Sequence, residues 1–512
     1  MTEAQKRKIV LKPTNVELIA DAGTPLRDLL FEQGVEFPCG GHGRCRGCKV
    51  RVLEGKVAVN EAQLHHLKPQ EIENGWRLAC QCTLDDNLVI ELRQWDAAIL
   101  SNDTAFEFSP RPGLGVAVDL GTTTLVAQLL DLSTSHVLAV RTALNGQARY
   151  GADVMSRVGF SVAEKGQKTL EELIRSQSGK LINDLVFAAQ ANAAEIVDVA
   201  IVGNTVMYHI FCGIDLEPMS HYPFVPVQDG MQVFNAADLG WSINPQAVVH
   251  FLPCLGSFVG SDITAGVVAT GIHESAELVG LVDLGTNGEI VIGNRDRMLC
   301  TSTAAGPAFE GARISMGMRA STGAISEVFL QDGAVQCRVL GNTEPRGICG
   351  SGLVDAVAVG LDMGTIRMTG RLNADDKSSS GERTWMLCAP VALSQTDIRE
   401  LQLAKGAIAA GIHLLLQQWG ATENDLTKLY LAGAFGNYIS RNSAKRIGLL
   451  KFPLEIVQAA GNTALLGAKL GLFINDESIY ARIRSKMTHV GLNEDPNFQD
   501  AFVDEMSFPE PE

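Results

Sequence analysis

The sequence has no uninterrupted apolar run of about 18 residues, the length that reads as a bilayer-spanning helix, so no membrane association is expected. A signal-peptide core is missing as well, because MTEAQKRKIVLKPTNVEL is charged and then alternating. A cytoplasmic protein is the expectation. Positive charge is scarce: 42 Lys and Arg stand against 58 Asp and Glu, a net charge of −16. That argues against a broad basic surface for nucleic acid, and the acidity reads as solubility or as docking to a basic partner surface. A second C-x2-C pair, the usual companion in a structural zinc site, is also lacking. What remains is a globular composition, 46% apolar and 20% charged over 512 residues, enough for two to four domains.

Five of the eleven cysteines fall within residues 39–82, and the other six are scattered singly. Clustered cysteines in a reducing compartment point to metal rather than disulfides. Cys39, Cys45 and Cys48 form a C-x5-C-x2-C run, and Cys80 follows after 31 intervening residues. Gly40, Gly41, Gly43 and Gly47 let such a loop wrap iron closely and aim N–H groups at sulfur. On a strand Cys80 and Cys82 face the same side, so by distance either serves as the fourth ligand. Around this run, KIVLKP and VELIAD pair as a hairpin about Thr14-Asn15, and TPLRDLLFEQ reads as a helix with Thr24 as N-cap and Pro25 in its first turn. Residues 7–95 resemble the [2Fe-2S] ferredoxins of the adrenodoxin-like branch. The resemblance implies a β-grasp fold, ligation by Cys39, Cys45, Cys48 and Cys80, and a core role for Cys82. His42, between two ligands, reads as a solvent-facing loop histidine.

SNDTAFEFSPRPG, residues 101–113, reads as a linker. After it, Val-Asp-Leu-Gly-Thr occurs twice, at 118–122 and 282–286, each time closing an apolar strand. Another strand follows each copy, which excludes the P-loop and the Rossmann turn, where a glycine loop runs into a helix. Strands are expected at 115–119, 124–130 and 136–142, and again at 279–283, 288–293 and 297–302. The repeat continues in IVGNTVMYHI and LYLAGAFGNYI, and in two small-residue helices, 255–272 and 459–472, suited to a tight crossing.

This order resembles the superfamily of acetate and sugar kinases, heat-shock chaperones and actin. The fold implied is a β-grasp ferredoxin domain followed by a duplicated, RNase H-like, two-lobed ATPase, α+β and α/β in class. The expected division is 1–100 ferredoxin, 101–113 linker, 114–273 lobe I, 274–472 lobe II, and 473–512 an extension packing on lobe II. Backbone N–H groups at Gly121, Thr122, Thr123 and Thr124, and at Gly285, Thr286, Asn287 and Gly288, can form anion-holding nests. Asp119 and Asp283, one per lobe, are the catalytic candidates, holding Mg²⁺ through water beside ATP. Gly306 and Gly350, at Gly-to-helix turns, and Gly433, Ala434 and Phe435 of the adenosine motif complete the nucleotide set. Glu310 reads as a surface or capping residue.

An iron–sulfur carrier joined to an ATPase suggests electrons driven uphill. Two families combine these parts. Activators of 2-hydroxyacyl-CoA dehydratases carry a cysteine just before an AAGTG-like turn, where this chain has Thr303 ahead of Ala304-Ala305-Gly306. Reductive activators of corrinoid proteins are matched by NGQARYGADVMSRV, VGNTVMYHIFCGID, AGPAFEGARI, GICGSGLVDAV and LAGAFGNYI. The second resemblance implies ATP-dependent reduction of inactive Co(II) to Co(I) in a corrinoid protein or cobalamin-dependent methyltransferase, fed by a low-potential electron donor. A homodimer is compatible with it. The chain looks like a short form without the family's extra middle domain. A dehydratase-type activator, a small-molecule kinase and a nucleotide-binding redox sensor are the alternatives.

Overall fold

The computed structural model describes residues 5–12, 16–31, 33, 48–92, 109–151, 153–256, 258–285, 287–311, 313–373, 383–436, 439–474 and 478–510. Cys39, Cys45, His42, the Thr14-Asn15 turn, most of the linker and Thr286 lie outside them. Among the described residues no helix is long and apolar enough to cross a membrane.

Near the N-terminus, five strands form one sheet in the order Val16–Asp21, Lys6–Lys12, Leu88–Glu91, Lys49–Glu54, Trp76–Leu78. Lys6–Lys12 pairs antiparallel with Val16–Asp21, Ile9 opposite Leu18, and parallel with Leu88–Glu91. Alternation puts Ile9, Leu11, Val50 and Ile90 on the buried face. The helix expected at Thr24 starts instead at Leu26. Thr24 and Pro25 form a short strand against Thr83 and Leu84, and the Thr24 hydroxyl donates to the Asp21 carbonyl rather than capping. Sheet pairing has overridden the local capping signal.

The duplication is explicit in two six-stranded sheets. The first runs Val137–Leu144, Thr124–Asp131, Leu114–Leu120, Ile196–Val202, Val248–Phe251, Gln232–Asn235. The second runs Val457–Gly461, Lys428–Ala432, Val279–Leu284, Gly288–Gly293, Met298–Thr303, Met487–His489. In each, a three-stranded antiparallel meander is extended by a strand lying parallel to its first member: Ile196–Val202 beside Leu114–Leu120, and Lys428–Ala432 beside Val279–Leu284. These central strands are buried on both faces and read as near-continuous apolar runs.

The two small-residue segments pack against each other between the sheets, but as shorter helices than expected, Ser261–Thr270 and Thr463–Gly471. Residues 457–461 are a strand, because small apolar residues suit either state and sheet pairing decides. A Cβ on Gly467 would stand 2.2 Å from the Ala265 carbonyl oxygen, so this crossing requires glycine. After Phe473 the chain forms the helix Ser478–Lys486, adds Met487–His489 to the edge of the second sheet, and lays the helix Phe498–Met506 on the long helix Gln395–Trp419.

Candidate functional site

Two ends of one short ladder bring the described cysteines together. Lys49 stands opposite Leu78, and the Ala79 N–H donates to the Cys48 carbonyl at 3.0 Å, so Cys48 and Cys80 emerge at the same end. Cys80 lies in a 3₁₀ turn, Ala79–Gln81, not on the strand the alternation argument assumed. The turn separates it from Cys82, whose thiol is buried, donates to the Leu78 carbonyl at 3.1 Å, and is pushed up to about 12 by burial. Gln81 Nε2 donates to Cys80 Sγ at 3.6 Å. The half-buried Cys80 and the buried Cys48, at one end of the ladder, fit thiolate ligation of iron; Cys82, neutral and turned inward, does not.

The second site is the floor between the two sheets. Asp119 ends the first strand of one meander and Asp283 ends its counterpart. Burial pushes Asp119 up to about 6, opposed by a hydrogen bond from Asn462 Nδ2 to its Oδ2 at 2.8 Å. Burial and then the Asp119 charge hold Asp283 at about 7. Two further acids join them. Asp262 is raised by burial and by Asp283, and Glu289 well above the carboxylate range by burial, Asp262 and Asp283. Asp119 and Asp283 thus raise the acids beside them, and four acids gathered in one buried floor favour a bound cation. Among the described residues no three His, Cys, Asp or Glu form a ready-made ligand set. The arrangement suits a cation that keeps its water shell, as magnesium does.

Around this floor stand the glycine turns. Gly121, Thr122, Thr123 and Thr124 are partly exposed to the cleft. Their loop is braced from below: Asn145 Nδ2 donates to the Gly121 carbonyl at 2.9 Å, Asn204 Nδ2 to Thr122 Oγ1 at 2.8 Å, and Arg157 Nη2 to the Thr122 carbonyl at 2.5 Å. Arg157 is fully buried, also donates to Gly151 O and Gln147 Oε1, and is lowered to about 10 by burial. In the second loop the Gly285 N–H donates to Asn287 O, and Gly288 is wedged against Ile408 and Thr303. Thr303, in the place compared with a cluster cysteine, is buried and donates to Gly288 O at 3.0 Å.

Gly433 adopts φ +86°, and a Cβ there would fall 2.5 Å from Asp283 Oδ1, so the turn Gly433–Gly436, which contains Ala434 and Phe435, presses directly on the acid floor. Gly306, at φ +78°, has open space where a Cβ would point, and Gly350 opens the helix Gly350–Asp362. Glu310, expected at the surface, is partly buried and accepts from Thr123 Oγ1 at 3.5 Å, linking the two lobes. Asp262, Glu289 and Arg157 received no role from the sequence. Their signals were an acid at the start of a small-residue helix, an acid three residues after the second Val-Asp-Leu-Gly-Thr, and an arginine in an apolar helix.

Three family models cover the chain. The 2Fe-2S iron-sulfur cluster binding domain matches residues 9–85, the RACo middle region 114–275, and the C-terminal domain of RACo, the ASKHA domain, 277–512. The middle region is therefore present, and it is the stretch read above as lobe I, which corrects the expectation of a short form. The corrinoid activation enzyme RamQ of Eubacterium limosum is 34% identical over 435 residues, 79% of this chain and 73% of that protein. The [Co(II) methylated amine-specific corrinoid protein] reductase of Methanosarcina barkeri is 26% identical over 77% of each. A solved reductive activator for a corrinoid, iron-sulfur protein superposes with a TM-score of 0.73 at 28% identity, covering 98% of both chains. With a [2Fe-2S] domain ahead of the RACo middle region and the ASKHA domain, and that degree of identity across most of its length, the chain belongs to the family of reductive activators of corrinoid proteins.

Proposed function

We propose that this protein reactivates a corrinoid protein, returning inactive Co(II) to Co(I) with one electron in a step driven by ATP. The observation that carries the reading is the meeting of Asp119 and Asp283, from two copies of one strand–turn–strand unit, in a chain that also presents Cys48 and Cys80 at one end of a ferredoxin sheet. Family membership supports the same conclusion.

When bound, the [2Fe-2S] cluster supplies a one-electron store. Cys39, Cys45, Cys48 and Cys80 are its proposed ligands, and Gln81 orients toward the last of them. In the cleft, N–H groups of Gly121–Thr124 and of Gly285–Gly288 take the phosphates. Asp119 and Asp283 would hold Mg²⁺, which would polarise the phosphates and the attacking water, with Asp262 and Glu289 adding to the negative floor. Gly306, Gly350 and the turn Gly433–Phe435 line the rest of the nucleotide. The electron leaving the ferredoxin domain goes to the partner's cobalt, and one from a low-potential donor replaces it, so the count balances. Binding of ATP helps only as far as the nucleotide favours one conformation over another, and its hydrolysis supplies the free energy for the uphill step. Homodimerisation is compatible with this cycle.

The test is anaerobic. Reduced protein, Mg-ATP and a Co(II) corrinoid protein are mixed, and cobalt is followed by visible absorption. Co(I) appearing only with ATP is the expected result. Equal Co(I) without ATP, or stoichiometric phosphorylation of a metabolite instead, overturns the reading.

A further inference from the structure

The helix Leu26–Phe31 is short, and its first turn is unusually charged for a buried position: the side chains of Arg27 and Asp28 are 8% and 2% exposed. This turn packs on the 3₁₀ turn that carries Cys80, and the Leu26 N–H donates to the Cys82 carbonyl at 2.9 Å. Its outer side meets lobe II. Asp28 Oδ1 accepts from Arg338 Nη2 at 3.1 Å, and Arg27 Nη2 lies 3.8 Å from Glu327 Oε2. Arg27 Nε is 3.6 Å from Asp28, so four charges alternate in sign across the junction.

Both lobe II partners sit on one hairpin, Ala324–Gln331 paired with Ala334–Val339, where Glu327 stands opposite Arg338. That hairpin is fastened to the cleft helix: the Cys349 N–H donates to Ile325 O at 3.0 Å, and Ser351 Oγ donates to Ser326 O at 2.9 Å. Burying a charged pair is unfavourable unless its geometry is used. Here the buried cation stands beside the turn of a proposed iron ligand. Reduction adds negative charge to a centre that thiolate ligation already makes anionic, and net charge and solvent exposure set cluster potentials.

We infer that Arg27 and the hairpin charges Glu327 and Arg338 form an electrostatic joint that docks the ferredoxin domain on lobe II and sets the reduction potential of the cluster. Burial and the like charge of Arg338 lower Arg27, while Asp28, Glu327 and the Cys80 thiolate raise it, which agrees with this placement. Arg27 is a positioning and tuning residue; it hands over no electron itself. The inference rests on the reading of Cys80 as a cluster ligand.

The experiment is an anaerobic redox titration of the full chain, with the cluster followed by electron paramagnetic resonance. Arg27→Gln and Arg338→Gln each remove a cation and lower the midpoint. Glu327→Gln removes an anion and raises it. Each shift is at least threefold in the reduced-to-oxidised ratio at fixed potential, about 28 mV for one electron. Opposite signs for the two lobe II variants distinguish charge from loosening, since a merely loosened junction moves both the same way. Arg27→Lys retains the charge and the wild-type midpoint, which guards against misfolding of the Gln variant. Lobe II variants that leave the midpoint unchanged, or that shift it in one common direction, overturn the inference. A Cys80→Ser chain that still assembles the native cluster overturns the ligand reading itself, a separate outcome.

Discussion

Asp283→Asn removes one carboxylate from a floor where four acids converge. The folded protein holds the Asp283 carboxyl at about 7, by burial and then by Asp119, against an ordinary 3.8. Between these values the unfolded chain has released a proton that the folded chain keeps. Stability therefore falls as pH rises from about 4 to about 7 and is lowest above that. Each pH unit in this window costs about 1.4 kcal/mol, an upper bound of about 4 kcal/mol over the span. The side chain borders the cleft and is only partly buried, so solvent reduces this to about 1–2 kcal/mol.

In EDTA at pH 8 the Asn variant is accordingly expected to be more stable than the wild type, while at pH 4.5 the advantage vanishes. For lobes of this size about 1 kcal/mol moves the melting temperature by about 2–4 °C, so the gain at pH 8 is about 2–8 °C by differential scanning fluorimetry. Mg-ATP raises the wild-type melting point by mass action and raises the variant's much less, and ATP hydrolysis by the variant is lost. A variant that melts at or below the wild type in EDTA at pH 8 refutes the electrostatic account of the floor. Normal hydrolysis by it refutes the metal role.

Gly467→Ala drives a methyl into the Ala265 backbone, 2.2 Å from its carbonyl oxygen; the helices separate, at a cost of about 1–3 kcal/mol, visible as a lowered denaturation midpoint and a fall in ATPase activity. Arg157→Ala strips the first phosphate loop of a buried brace and leaves carbonyls at Thr122 and Gly151 unsatisfied. At about 1–3 kcal/mol this weakens nucleotide binding by roughly 5- to 150-fold, measured by calorimetry, with the cluster spectrum unchanged. Cys82→Ser retains the native [2Fe-2S] absorption, since its thiol points to Leu78 O, whereas Cys80→Ser does not.

How much of this was written locally decides how much could be read in advance. The meander strands are apolar runs bounded by glycine turns, and the two Val-Asp-Leu-Gly-Thr copies mark both the duplication and the place where the lobes meet. Those are short-range patterns, and they persist in the sheets. Residues 459–461, expected to open a helix, belong instead to the strand Val457–Gly461, because alanine and glycine carry no period that separates strand from helix. Thr24 pairs with Leu84 across the sheet, and this pairing outweighs its local preference for capping.

The remaining contacts have no local signature. Asn462 reaches Asp119 from 343 positions away, and Arg338 reaches Asp28 from 310. Each pairs a polar residue that looks ordinary in its own segment with an acid that, alone, would be costly to bury. The information is therefore in the pair. Asp119 without Asn462 is a raised carboxyl at a strand end, and Arg27 and Asp28 without the hairpin are a surface helix turn. Only when the lobes and the ferredoxin sheet are assembled do these become one electrostatic system, with four buried acids at one end and the Arg27 cation beside the turn of Cys80 at the other.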